Sequence, residues 1–433
     1  MEKLLQYVWR HKLFPLHELN TTKGNNVEII DVGLQNYDAG PDFFNAKVKI
    51  DGTMWVGNVE IHMKSSEWYV HEHEKDKAYN NVILHVTDDA DTEVTTESGR
   101  TLPQLVLHIP ENIFYNYRHL LEEDKYPPCY GIIPQIETIN IHLWIDSLLI
   151  ERLHRKTNDI VKRVEMSDGS WEKAYFMTLA RNYGFGINGD AFEMLASKIP
   201  INCAAHQRDN IMQIEAMLMG QAGLLDDDAL QPLYKENAHN EGYFDKLKSE
   251  YRFLANKYTL TPMDRKMWKF LRLRPQNFPH IRISQIANLY CSRKADLADI
   301  IECNSADELK QVFDTEVTPY WETHYTFGST SCKTFKNLSS ASINLLIINT
   351  AVPIMFAYGR HRGDQNLCDK AMNILEGLNA ENNYITRMWH MCGLDVKTAG
   401  DSQALIQLKK EYCDTRNCLR CRIGYEYLKK FKL

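Results

Sequence analysis

The chain has 433 residues, of which 44% are hydrophobic and 25% charged, and its formal net charge is −7. This length is too great for one ordinary core and predicts two or three domains of a soluble globular protein. Ten cysteines in so long a chain argue against a disulfide framework and for reduced thiols or a metal site, and the start MEKLLQYVWRHKLFP lacks the apolar core of a secretion signal.

The longest apolar stretch, residues 341–359, contains Asn344, Asn349 and Pro353. Because the polar groups would need partners inside a bilayer, we expect a buried core helix here and no membrane contact. We therefore expect a cytoplasmic protein.

The first part of the chain predicts a small domain that contains both helices and strands. Its expected elements are a helix at 3–14, strands at 27–33, 46–51 and 54–63, a polar helix-compatible segment at 71–79, and strands at 82–86 and 102–109. The Asp51-Gly52 pair predicts the turn of a β-hairpin. This order of elements indicates an α/β or α+β domain over residues 1–112.

Beyond about residue 135, apolar residues recur at spacings of three and four, as they do in helices. The predicted helices cover 143–156, 171–183, 211–225, 243–260, 263–271, 281–290, 342–356, 369–378 and 380–392. We expect a connecting segment at 113–140 and a larger all-α domain at 141–433.

Four residues of the first domain form the constellation that most directly suggests chemistry. Asp42 follows a Gly-Pro turn, and Glu60, His62 and Lys64 alternate along a predicted strand. Because side chains two apart project from the same face of a strand, the last three would lie together. Such a set suits a metal-dependent phosphodiester hydrolase, although alternating charges are also typical of the solvated face of a half-exposed sheet.

The element order and these residues resemble the core of the PD-(D/E)XK nuclease superfamily, which has a restriction-endonuclease-like fold. The resemblance implies that Asp42 and Glu60 bind Mg²⁺ or Mn²⁺, and that a lysine two residues after the glutamate positions the attacking water. His62 stands at that place in this chain. Either Lys64, one pleat further along, or His62 itself would then take the role.

Polar residues that follow this strand are candidate auxiliaries, because related nucleases carry such residues on the next helix. His73 and Asp76 would share a helical face, and Tyr79 follows them. His71 and His73 could both serve as ligands only if the backbone between them is extended. Two or three histidine ligands would favour Zn²⁺ over Mg²⁺ or Mn²⁺.

A cysteine cluster lies near the C-terminus, where CDTRNCLRC contains Cys413, Cys418 and Cys421. Two thiolates separated by two residues can bind one ion, so these residues could hold a structural Zn²⁺ or an iron–sulfur cluster, with Cys392 or His390 as a fourth ligand. Buried packing thiols are the alternative.

Residues 261–294 are basic and contain interleaved aromatic residues. Lys269, Arg272, Arg274 and Arg282 could neutralise the phosphates of DNA or RNA while aromatic rings stack on bases. The alternative places Trp268 and Leu271 in the core, with the basic side chains on a solvated helix face.

Several segments, among them GPDFFNAKVKIDG, IEAMLMGQAGLL and CLRCRIG, are similar to one uncharacterised family of the Bacteroidetes that is known only as a domain of unknown function. The similarity extends along nearly the whole chain and implies no activity.

Three functions are therefore predicted from the residues. The first is a metal-dependent nuclease, and the second is a non-catalytic nucleic-acid-binding or scaffold protein on a degenerate nuclease core. The second is favoured by the missing lysine and by 10 Lys and Arg against 18 Asp and Glu in residues 1–112. The third is a Zn²⁺-dependent hydrolase of a small substrate that uses His62, His71, His73 and His85.

Overall fold

A computed structural model describes residues 1–123, 125–293 and 295–430 and divides the chain into two compact units. The first unit comprises residues 1–141, 392–394 and the segment from Lys409 onward, and the second comprises residues 142–391 and 395–408. The sequence predicted a helical domain that runs to the C-terminus. The structure instead places the C-terminal segment, with its cysteines, in the first unit.

The first unit contains both strands and helices, as predicted, and its sheet is mixed. Its strands are β1 (Val27–Asp31), β2 (Leu34–Gln35), β3 (Phe43–Ile50), β4 (Thr53–Lys64), β5 (Val82–Asp89) and β6 (Gln104–Val106). They lie in the order β1-β3-β4-β5-β6, with β2 also paired to β3. The pairs on the β1 side of β4 are antiparallel, whereas β4, β5 and β6 run parallel. Parallel pairing requires a crossover, which the segment between β4 and β5 supplies.

The predicted hairpin across Asp51-Gly52 joins β3 and β4. Both turn residues have positive φ, 48° for Asp51 and 79° for Gly52, as a two-residue hairpin turn of type I′ requires. This turn sets the register from Ile50 opposite Thr53 to Ala46 opposite Gly57, and a bulge between Phe43 and Ala46 then shifts the pairing so that Phe43 lies opposite Val59. Asp42, the residue before β3, is thereby brought beside Glu60 of β4.

The helices of the first unit are α1 (Glu2–Arg10), α2 (Glu67–Val70), α3 (Glu111–Glu122) and a C-terminal helix, Arg422–Lys430. α1 buries Leu4, Leu5 and Trp9 and packs on β4. The C-terminal helix packs on α3, where Asn116 Nδ2 donates to the carbonyl of Leu428 at 3.1 Å. Segments at the two ends of the sequence thus share one unit.

The second unit is helical, as predicted. Its helices, starting from one whose first turn falls in the first unit, are α4 (Thr138–Met166), α5 (Trp171–Tyr183), α6 (Gly189–Lys198), α7 (Ile201–Ala205), α8 (Ile211–Gln221), α9 (Lys235–Asn240), α10 (Tyr243–Tyr258), α11 (Pro279–Ser292), α12 (Leu297–Glu302), α13 (Ala306–Phe313), α14 (Pro319–Glu322), α15 (Ser340–Leu346), α16 (Val352–Arg362), α17 (Gln365–Glu376), α18 (Tyr384–Met391) and α19 (Ala399–Gln407). The C-terminal helix of the first unit is α20.

One predicted helix of the second unit, 263–271, is wrong. Only a 3-10 turn at Arg265–Met267 forms there, and the proline at 275 and the arginine at 272, which has a φ of 64°, interrupt regular structure after it. Trp268 is buried as predicted, but Leu271 is 84% exposed, because without the helix the two residues do not share a face.

The apolar stretch at 341–359 forms α15, a π-helical turn at Ile347–Ala351 and α16. By length and composition, residues 340–362 could cross a membrane, and 67% of their most apolar window is buried inside the protein. This extent of burial agrees with the predicted core helix.

A candidate metal centre on the mixed sheet

Adjacent strands bring acidic and imidazole side chains to one face of the sheet. Glu60 and His62 lie two apart on β4, so they share a face. β5 runs parallel to β4 with His85 in register with Glu60. The Nε2 atom of His85 lies 3.0 Å from Nδ1 of His62, so the two rings share one hydrogen bond.

The two carboxylates predicted to bind metal are adjacent, and each accepts a hydrogen bond from a backbone N–H of the other's segment. Glu60 accepts a hydrogen bond from the backbone N–H of Asp42 at 3.0 Å. Asp42 in turn accepts from the N–H of Ile61, also at 3.0 Å, and from Nε2 of Gln6 at 2.9 Å. Gln6 on α1 had no signal in the sequence, because its contact depends on how the first helix packs.

Both carboxylates lie in an environment that disfavours their negative charge. Glu60 is 5% exposed. Burial raises the pKa of both groups above the usual range, and for Asp42 the neighbouring Glu60 raises it further. Among the described residues, no lysine or arginine forms a salt bridge with either group. A bound cation would supply the missing counter-charge.

Three histidines lie close together beside Glu60. His62, His71 and His73 each place a ring nitrogen within 4.8 Å of the other two. Oε1 of Glu60 lies 3.3 Å from Nε2 of His73 and 3.6 Å from Nε2 of His62. The three imidazole nitrogens therefore form a candidate ligand group for a divalent metal, with a carboxylate oxygen next to two of them.

The convergence of His71 and His73 depends on a single residue between them. Glu72 adopts a left-handed backbone with a φ of 59°, after α2 and before a 3-10 turn at His73–Lys75. The helix-compatible segment predicted at 71–79 is thus replaced by two short turns. In a continuous helix His71 and His73 would have pointed apart, whereas here His62 Nε2 lies 3.2 Å from His71 Nδ1.

The buried rings are held in the neutral form that binds metals. Burial lowers the pKa of His62 far below its usual value, and the neighbouring His85 and His73 lower it further. Burial likewise lowers the pKa of His85, to about 3. A neutral imidazole keeps a lone pair for coordination, and the His62–His85 hydrogen bond orients the His62 ring.

The other predicted residues of this region take different places. Tyr79 stacks on His73, with ring centroids 3.8 Å apart. Asp76 accepts a hydrogen bond from the N–H of Ala78 and so caps a 3-10 turn. Lys64 is exposed at the end of β4, and its Nζ lies 3.7 Å from Asp89. The predicted role of Lys64 in catalysis stays a prediction.

A cleft of about 580 Å³ opens beside Asp42. Its lining includes four basic side chains, all exposed: Lys3, Arg10, Arg416 and Arg420. Tyr37 holds two of them, since its hydroxyl accepts from Arg10 at 2.9 Å and Arg420 lies over its ring at 5.1 Å. The sequence did not reveal this basic wall, because two of its arginines come from the distant C-terminal segment.

The C-terminal cysteines lie together, but with a different fourth partner from those considered. Cys413, Cys418 and Cys421 line one small cavity with Cys129. Neither Cys392 nor His390 lines it. Cys129 had no spacing signal in the sequence, because it lies far from the other three cysteines along the chain.

The predicted nucleic-acid surface at 261–294 is divided by burial. Lys269, Arg272 and Arg274 are exposed. Arg282 is not, because it is 6% exposed in α11 and donates to Gln285 at 2.8 Å. Arg282 therefore cannot belong to the surface predicted for it.

Comparison with known proteins identifies a family whose description names no activity. The chain matches the model of a family described as "Protein of unknown function (DUF2851)" over residues 2–384. No curated protein and no solved structure matches the chain significantly.

Proposed function

The chain thus belongs to the DUF2851 family, and from the geometry of its site we propose that it is a metal-dependent hydrolase of phosphodiester bonds in nucleic acid. The observation that carries the proposal is the convergence of a buried and a half-buried carboxylate with three histidines at one sheet face. Glu60 Oε1 lies 3.3 Å from Nε2 of His73, and Glu60 accepts a hydrogen bond from the N–H of Asp42, whose own carboxylate accepts from the N–H of Ile61.

The residues present fit a divalent ion. Glu60, His62, His71 and His73 would hold it, with the Asp42 carboxylate beside them. Imidazole-rich sets with carboxylates suit Mn²⁺ or Zn²⁺ better than Mg²⁺, which prefers oxygen ligands. When bound, such an ion acts as a Lewis acid and lowers the pKa of a water molecule.

The remaining chemistry belongs to the protein. Gln6 and the Ile61 N–H fix the orientation of Asp42. His85 holds the ring of His62, and Tyr79 holds that of His73 by stacking. His71 is the exposed member of the histidine group and lies between the site and solvent.

The basic wall of the cleft supports a polyanionic substrate. Residues 1–112 carry a formal charge of −8, so a phosphate chain would be repelled without local cations. Lys3, Arg10, Arg416 and Arg420 provide these cations next to Asp42. Arginine binds phosphate oxygens in pairs, which favours a defined path for the backbone.

The proposal is tested by incubating the full chain with end-labelled DNA and RNA in the presence of Mn²⁺, Mg²⁺ or Zn²⁺. We expect cleavage that needs the metal and falls at least about a hundredfold in Asp42→Asn and Glu60→Gln, since each loses a charged group at the site. Glu28→Gln is the matched control, because this exposed carboxylate of β1 lies outside the site and pairs with Lys49 at 3.1 Å.

The proposal would be refuted if Asp42→Asn and Glu60→Gln cleaved nucleic acid as fast as the control variant. Metal-independent binding of nucleic acid without cleavage would instead support a non-catalytic protein on the same core.

A second candidate is a Zn²⁺-dependent hydrolase of a small substrate, which the three-histidine group favours. Zn²⁺-dependent hydrolysis of p-nitrophenyl phosphate esters without any cleavage of DNA or RNA would distinguish it.

A further inference from the structure

Four cysteines from distant parts of the sequence meet in the first unit. Cys129 follows the turn after α3, whereas Cys413, Cys418 and Cys421 belong to the segment before α20. Together they line a cavity of about 20 Å³, with Leu120 and Gly424 among its other walls. Cys129, Cys413 and Cys421 are buried, and Cys418 is half-buried.

The backbone around these cysteines is shaped to bring the thiols together. A 3-10 turn at Cys418–Arg420 lets the N–H of Cys421 donate to the carbonyl of Cys418 at 3.2 Å. The chain passes so close there that a Cβ on Gly424 would lie 2.2 Å from the Cys418 oxygen. This is the tight turn that two thiolates separated by two residues need in order to bind one centre.

Further contacts fix this segment to the part of the chain that carries Cys129. The hydroxyl of Tyr126 donates to Asp414 at 2.6 Å. Arg416 Nη1 donates to the carbonyl of Leu120 at 2.9 Å. These two contacts therefore hold the segment that carries Cys129 next to the segment that carries the other three cysteines.

We propose that Cys129, Cys413, Cys418 and Cys421 are the four ligands of a thiophilic metal centre. Four thiolates are the ligand set of structural zinc and of iron–sulfur clusters. Thiols that serve only for packing need apolar neighbours and have no reason to face one another, yet here four of the ten cysteines line a single cavity.

Two observations bear on which centre is bound. The cavity is large enough for about one ion. However, among the described residues no three of these sulfurs lie mutually within 4.8 Å, whereas tetrahedral zinc at about 2.3 Å from each sulfur requires about 3.8 Å between them. Zinc would draw the thiolates inward, and an iron–sulfur cluster would keep them apart.

The centre has a consequence for the proposed substrate cleft. The loop between Cys413 and Cys421 carries Arg416 and Arg420, which line the cleft beside Asp42. Metal binding would fix the ends of this loop and hold both arginines in place. This consequence rests on the proposed function, whereas the metal site itself does not.

The experiment measures metal in the full chain after anaerobic purification from cells supplied with iron and zinc. We expect either zinc at about one per chain that is lost in Cys418→Ser or iron with acid-labile sulfide and its visible absorption, and either result supports the site. Metal-stripped protein should give thiolate-to-metal charge-transfer absorption with Co²⁺. Protein that holds no iron–sulfur cluster and shows no such absorption with Co²⁺ would overturn the proposal.

Variants assign the ligands. Cys129→Ser should lose most of the thiolate-bound metal, as should Cys418→Ser, whereas Cys332→Ser, at an exposed cysteine of the second unit, should keep it. If Cys129→Ser kept the full thiolate-to-metal absorption, Cys129 would not be the fourth ligand. Asp42→Asn should keep the thiolate signal even though it abolishes cleavage, so failure of one proposal does not imply failure of the other.

Discussion

At residue 72 the chain adopts a left-handed backbone, and the two histidines on either side of it converge on Glu60 and His62. Glutamate is rarely found in this conformation, which costs about 1–2 kcal/mol relative to the usual helical region. Local backbone strain of this kind is typical of functional sites, where surrounding contacts hold the backbone in place.

Replacing Lys64 and His73 one at a time tests most directly which of the two residues takes part in the reaction. Lys64 pairs with Asp89 and is exposed, whereas His73 is buried beside Glu60. We expect Lys64→Ala to change the cleavage rate by less than about threefold and His73→Ala to reduce it by about a hundredfold or more.

The measurement is the single-turnover rate with saturating Mn²⁺. Lys49→Ala is the control, because Lys49 is also a strand lysine that pairs with a carboxylate, that of Glu28 at 3.1 Å. A large loss of cleavage rate in Lys64→Ala but not in His73→Ala would instead assign the catalytic role to Lys64, as the lysine that the nuclease resemblance implies.

At the scale of elements, α8 carries a carboxyl group that the candidate site does not use. Glu215 is fully buried and accepts hydrogen bonds from Trp321, from Thr318 at 2.9 Å and from Tyr243 at 3.1 Å. Burial raises its pKa to about 7. The group thus joins α8 to α10 and to the region of α14.

This raised pKa predicts how the stability of the helical unit depends on pH. A raised folded-state pKa contributes stability below the unfolded value, near 4.5, that is lost as pH rises through about 7. The contribution to be lost is about 3 kcal/mol. Glu215→Gln cannot ionise and should flatten the decline in melting temperature between pH 5 and 8. An unchanged pH dependence in this variant would contradict the prediction.

The strands show why elements are easier to predict than sites. Alternating apolar residues predicted β1, β3 and β4, because a strand that buries one face must repeat every two residues. The segment between β4 and β5 lacks such a pattern, and its turns form around contacts with the sheet. The helix expected there was wrong for this reason.

At the scale of the whole molecule, the C-terminal segment completes the first unit. α20 buries Ile423, Tyr427 and Leu428, which are at most 3% exposed. Each fully buried side chain of this kind contributes about 1.5–3 kcal/mol, so their sum is comparable with the whole stability of a domain, about 5–15 kcal/mol.

A chain truncated after Leu408 should therefore lose the cooperative unfolding of the first unit and expose it to proteolysis. Limited proteolysis with mass spectrometry would locate the cuts, and Lys429→Ala, at an exposed position of α20, is the control. Protection of residues 1–123 in the truncated chain would show that the segment is dispensable.

The sequence by itself determined a domain of strands and helices followed by a helical part, the Asp51-Gly52 turn, and the pair Asp42 and Glu60 as candidate ligands. These features depend on periodicity and on turn chemistry, which act over a few residues. The apolar spacing at 171–183 and 243–260 likewise predicted α5 and α10 nearly to the residue.

Only the tertiary structure decided which side chains meet. Gln6, Cys129 and Arg416 reach their partners across tens to hundreds of residues, and the energy of such contacts leaves no repeating pattern in the sequence. The left-handed Glu72 is likewise selected by the packing around it and not by the preference of glutamate. Long-range packing therefore brought the strand motif together with His71 and His73, and the cysteine triplet together with Cys129.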